Sequence, residues 1–133
     1  MSDALFSGFN HIHIVCTDLV ASEQWFVDKV GATLVERRDS RGSSTSELRL
    51  AGVRVLLRSA REDEVLTADA QRRFGTDHFG LEVTDVDAVV ETLRGRGVEI
   101  SIEPRNSPMN RIAFIKGPDS VLIELVQPGG HKS

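Results

Sequence analysis

A single cysteine, Cys16, stands in a chain of 133 residues. One thiol cannot close an internal disulfide, which excludes a cystine-stapled scaffold and points to a reducing compartment. No apolar run approaches the length that crosses a bilayer as a helix. The opening residues, MSDALFSGFN, lack the basic start and long apolar stretch of a secretory leader. These absences lead us to expect a cytoplasmic protein without a membrane partner. Charge of one sign is also missing: 16 basic residues against 20 acidic ones leave a net charge of -4. That balance gives no basic footprint for nucleic acid.

What remains is ordinary globular material, with 40% hydrophobic and 27% charged residues, so the chain can bury a core without staples. Its organising feature is an internal duplication. FNHIHIVCTDLVAS, from Phe9, lies over DHFGLEVTDVDAVV, from Asp77. His11 matches His78 and Asp18 matches Asp85 at an offset of 67, Gly31 matches Gly97 at 66, and VRVLLRS from Val53 lies over VLIELVQ from Val121 at 68. A nearly constant offset through strand, helix and final strand is not a chance match.

Each half reads as βαβββ. Residues 9–17 alternate and are β-prone, Asp18 sits where a helix N-cap belongs, and SEQWFVDKV carries a helix to Gly31. Strands follow at Leu34–Arg38, Ser46–Leu50 and Val53–Arg58, with turns at Asp39, Gly42 and Gly52. The second half repeats this with a strand at 78–84, a helix at 86–96, and strands near 98–103, 111–116 and 121–127. Turns are expected at Pro104–Asn110 and at 117–120. The expectation is one α+β domain over 1–133, with repeats 9–58 and 77–127 joined by a charged, partly helical linker, 59–76. Paired, the modules form a half-open eight-stranded barrel, helices outside and a cup inside.

Alternation along strands then sorts the side chains. Ile12, Ile14 and Cys16 share the helix-facing side, and His11, His13 and Val15 the other. On later strands His78 and Glu124 fall on the cup face, as do Arg54, Leu56 and Arg58, with Glu47, Arg49 and Glu82 as further candidates. Buried polar groups need partners. Two imidazoles and one carboxylate make a facial metal-binding set with open positions for a substrate's oxygens. His13 either touches substrate as an acid or base or is a surface histidine. Arg54 and Arg58 either hold a substrate anion or form a solvated rim. Trp25, Phe26 and Cys16 read as core, and His131 as part of a disordered tail. Residues 105–111, RNSPMNR, form either a cover over the cup or a plain hairpin.

NHIHIVCTDL with SEQWFVDKVGATL, then DHFGLEVTD, then IAFIKGPDSVLIELV resemble the vicinal oxygen chelate superfamily of glyoxalases, bleomycin resistance proteins and extradiol dioxygenases. The resemblance spans almost the whole chain. The last segment resembles the family's F-x-x-DPDG-x-x-IEL, with departures at Gly117 and Ser120. By position the family's metal ligands carry over to His11, His78 and Glu124, and an often-present fourth carries over to Leu56, which has no donor atom. The resemblance therefore implies a three-ligand site for one divalent ion, Fe(II) or Mn(II) favoured, with Zn(II), Co(II) or Ni(II) as alternatives. It implies a small substrate chelated through neighbouring oxygens and a dioxygenase-like reaction. The alternatives are a glyoxalase-like lyase or isomerase, a fosfomycin-type transferase, and a metal-free drug-binding protein. It also implies a homodimer, often with sites shared between chains.

Overall fold

The duplication in sequence is a duplication in space. A computed structural model describes residues 5–40, 42–67 and 74–132. The first half is β1 (Ile12–Cys16), α1 (Leu19–Val30), β2 (Thr33–Ser40), β3 (Ser43–Leu50) and β4 (Val53–Ser59). The second is β5 (Phe79–Glu82), α2 (Val86–Gly95), β6 (Glu99–Asn106), β7 (Asn110–Lys116) and β8 (Leu122–Pro128). Each half makes one four-stranded sheet, ordered β1-β4-β3-β2 and β5-β8-β7-β6. In each, the first strand runs parallel to the fourth and the others are antiparallel. The α+β class and the twofold βαβββ plan therefore stand. The sheets stay separate, and no ladder among the described residues closes them into a barrel.

The helices start and stop for the same reasons in both halves. The Asp18 carboxylate accepts from the Ala21 amide at 3.0 Å, and Asp85 from Ala88 at 3.2 Å. Gly31 and Gly97 follow the helices at φ 77° and 79°, a left-handed turn that costs glycine little. Each helix covers one face of its own sheet. Phe26, Leu48, Val55 and Leu57 of the first half and Val86, Val90, Ile115 and Ile123 of the second are buried in one continuous hydrophobic core.

Two bounds differ from expectation. β2 runs through Asp39, placed in a turn by sequence, because Ser44 Oγ donates to the Asp39 carboxylate at 2.6 Å and extends the ladder. β6 runs through Pro104 to Asn106. A proline is tolerated there because β6 is an edge strand with an irregular register between Ile102 and Arg105. RNSPMNR is thus the end of a hairpin. The linker begins after Ser59, the last residue of β4, and residues 60–67 hold no helix. The rest of the expected linker helix falls partly on 68–73, outside the described residues. Where a disordered tail was expected, residues 131 and 132 make contacts: His131 hydrogen-bonds the Ser107 carbonyl, and Asn106 pairs with Lys132 through bonds of 2.7 and 3.0 Å.

The halves meet about a local pseudo-twofold. Lys29 Nζ donates to the Arg96 carbonyl at 2.5 Å, and Arg96 donates back to the Lys29 carbonyl at 2.8 Å. Thr17, at the end of β1, donates from its amide and hydroxyl to Asp119 at 3.1 and 2.7 Å. No helix among the described residues is long and apolar enough to cross a membrane.

Candidate metal centre

The second sheet holds one half of the site. Gly80 of β5 pairs with Glu124 of β8, so His78, two residues earlier, lies on the same face as Glu124. His78 Nε2 stands 3.0 Å from Glu124 Oε1. Two donors about 2.1 Å from one ion and at right angles to each other stand about 3.0 Å apart, so this spacing fits neighbouring ligands. The other ring nitrogen, Nδ1, lies 2.8 Å from the Asp77 carboxylate. Phe114 packs edge-on against the imidazole, with centroids 4.9 Å apart. Asp77 raises the His78 pKa most. Burial opposes it, and Glu124 adds to the rise.

The first sheet holds a matching unit. His11 Nδ1 lies 2.7 Å from Asn10 Oδ1. The same oxygen accepts from Arg54 Nη1 at 3.2 Å. Arginine only donates, so the Asn10 atom is the amide oxygen and His11 Nδ1 carries the proton. With Nδ1 so engaged, Nε2 is the ring nitrogen left to serve as a ligand. Arg54 is held in turn by Glu47 through a two-point pair of 2.9 and 3.1 Å. Asn10 and Asp77 are repeat mates, so each histidine has its Nδ1 fixed by the residue before it. Both positions were overlooked in the sequence, although the duplication aligns them at the same offset as the histidines.

The other candidates fall around these units. Leu56 is buried and pairs across β1 and β3 with His13 and Glu47. Glu47 is committed to Arg54 and Arg38, which hold its carboxyl at about 2, so it offers no ready substitute for the missing donor. His13 sits on the cup side, its ring 6.0 Å from that of His11. Partial burial and then the Arg58 charge lower its pKa. Arg58 is closed by Glu64 at 2.6 and 2.9 Å, so neither expected substrate arginine shows an unpaired fork. Arg49 and Glu82 are exposed. Cys16 is buried, and burial pushes its thiol pKa up. Phe26 is core, with Trp25 edge-on to it at 5.1 Å.

Among the described residues, no three His, Cys, Asp or Glu side chains stand close enough to share one ion. A single chain therefore brings His78 and Glu124 together and leaves His11 apart.

Residues 8–125 match the family model of the glyoxalase/bleomycin resistance protein/dioxygenase superfamily, and the chain belongs to that family. A probable lactoylglutathione lyase from Synechocystis is 29% identical, over 92% of this chain and 96% of its own. A solved superfamily domain from Frankia superposes with a TM-score of 0.78 at 21% identity, over 92% of this chain and 98% of its own. The fosfomycin resistance protein FosX from Listeria monocytogenes superposes at 0.72 with 20% identity, over 92% and 93%. These structural likenesses fix the fold, and the family itself includes many enzymes.

Proposed function

We propose that the protein is a metal-dependent enzyme acting on a small substrate gripped through two neighbouring oxygens, with a dioxygenase-like reaction. The observation that carries this reading is the duplicated unit in which Asn10 orients His11 and Asp77 orients His78, the latter 3.0 Å from Glu124. Fixing Nδ1 of a histidine is the usual way a protein aims its other nitrogen at a metal. His11, His78 and Glu124 would hold the ion, with Fe(II) or Mn(II) favoured for this donor set. When bound, it supplies a Lewis acid for the substrate's oxygens and, as Fe(II), access to dioxygen chemistry. His13, whose pKa is lowered by partial burial and then by the Arg58 charge, takes the substrate's proton. Arg54 acts on His11 through Asn10. Arg58 meets an anionic substrate only by exchanging Glu64 for it.

We place the complete site between two copies in the cytoplasm, His11 from one and His78 with Glu124 from the other. The pairing of His78 with Glu124 while His11 lies on the other sheet supports this placement.

Metal analysis of the purified protein tests the core of the proposal. The wild type should carry one ion per chain, and His78→Ala or Glu124→Ala should lose most of it. Full occupancy in His78→Ala would overturn the assignment. Oxygen uptake with catechol-like substrates tests the reaction. A glyoxalase-like lyase is the second reading, favoured by the Synechocystis relative. Leu56 counts against it, because it leaves no carboxylate to shuttle a proton at that position. Enzymatic turnover of a glutathione hemithioacetal, without oxygen uptake, would replace the first reading with the second. A wild type that takes up no metal and retains a drug would point to the binding-protein alternative.

A further inference from the structure

The pseudo-twofold makes the two halves comparable side chain by side chain, and one comparison leaves a space. On the first helix, the Trp25 indole lies against the first residue past β7, Gly117. A Cβ there would come within 3.2 and 3.3 Å of the ring, so glycine is what allows the indole to seat. The indole also packs edge-on to Phe26. In the repeat, Thr92 takes the place of Trp25 and Leu93 that of Phe26, at the offset of 67 that relates His11 to His78. Ala51, the first residue past β3, takes the place of Gly117.

Where the second half lacks an indole, the structure has a cavity. It measures about 400 Å³, and Ala51, Leu81, Val89, Thr92 and Leu93 are among its walls. Thr92 is smaller than Trp25 by a bicyclic ring's volume, and open space stands beside it. Gly31, Ala51, Glu82, Ala88, Thr92 and Arg96 of its walls are exposed, so it is a half-open groove rather than a sealed cavity, with apolar walls and room for a ring larger than benzene. Its charged wall residues are one cation, Arg96, and one anion, Glu82, which select for no net charge. The cavity lies on the helix-bearing side of the sheets, whereas His78 and Glu124 lie on the opposite face of β5 and β8.

We propose that this cavity is a second binding site, taking a neutral, planar aromatic molecule of about the size of indole. It stands independently of the proposed metal chemistry. The ligand occupies by association the place that Trp25 occupies covalently in the other half. Thr92, which has no side-chain hydrogen bond, is the polar group at hand for a ring N–H.

The test uses indole itself, added to the intact protein in its solution oligomer. Methyl NMR of the wild type should show saturable shifts confined to Leu81, Val89 and Leu93. Thr92→Trp should fill the space with the chain's own indole, raise the melting temperature and weaken indole binding at least tenfold. Ala88→Phe, which narrows the same cavity from the start of α2, should also weaken it. Shifts centred on the cup face, no saturable shifts at all, or unchanged affinity in a folded Thr92→Trp or Ala88→Phe would overturn the site. Because the readout is the wild-type methyl map, a variant that fails to fold does not remove the test. Metal occupancy should be unchanged throughout, which separates this outcome from any failure of the metal assignment.

Discussion

At the scale of single residues, the histidines were legible because they repeat. A lone His at a strand edge says little, whereas His11 and His78 at equivalent positions, with Glu124 in register, say a good deal. What the sequence did not disclose is how each ring is held. Asn10 and Asp77 precede the histidines, and only the folded backbone turns them onto Nδ1. Partners of this kind typically contribute a factor of about 10 to 100 in metal affinity. Asp77→Ala should therefore weaken binding of Mn(II) or Fe(II) by about that factor while the fold, read by circular dichroism, stays intact. Asn10→Ala should weaken it by less, since a neutral amide raises ligand basicity less than a carboxylate does. Equal metal affinity in Asp77→Ala and wild type would leave the Asp77 contact with no role beyond the surface. The arginines were the harder case. Alternation put Arg54 and Arg58 on one strand face, but nothing in one-dimensional pattern shows that Glu47 and Glu64 close them.

At the scale of elements, the helices followed from periodicity and caps, whereas the parallel pairing of first and fourth strands is disclosed only by the fold. The misplaced ends were decided by tertiary contacts, such as the Ser44–Asp39 bond that lengthens β2. The helices are also clamped by ion pairs that no local pattern reveals. On α1, Glu23 is held by Arg37 and Ser46. On α2, Asp87 in the first turn accepts from Arg111 of β7 at 2.7 and 2.9 Å. A carboxylate there also meets the positive end of the helix dipole. Arg111 holds the Asp87 carboxyl at about 2, below its ordinary 3.8. A lowered folded-state pKa contributes stability that is fully present above the unfolded value and is lost as pH falls through the folded one. The melting temperature should therefore drop between pH 4 and pH 2 more steeply in the wild type than in Asp87→Asn, which has no proton to gain. Parallel curves for the two proteins across that window would show that the Asp87–Arg111 pair does not couple to folding.

At the scale of the whole molecule, the repeat alone implied one cup lined by three ligands. In the structure His78 and Glu124 stand on one sheet and His11 on the other, and among the described residues no three such side chains gather. A sequence cannot distinguish a cup closed within one chain from a cup closed between two, because strand alternation is the same in both. Complementation decides it. His11→Ala and His78→Ala should each be nearly devoid of metal as homodimers, since every site lacks a ligand. Unfolded together and refolded at equal concentration, they should recover about one quarter of wild-type sites. Random pairing makes about half the dimers mixed, and each mixed dimer has one site built from an intact His11 and an intact His78. A site closed within one chain recovers nothing, because every chain in the mixture carries a defect. Sedimentation should show the dimer in all samples. A mixture that is dimeric and as empty of metal as its parents would place the three ligands within a single chain and require the two sheets to close on each other by a movement of the seam at Thr17–Asp119.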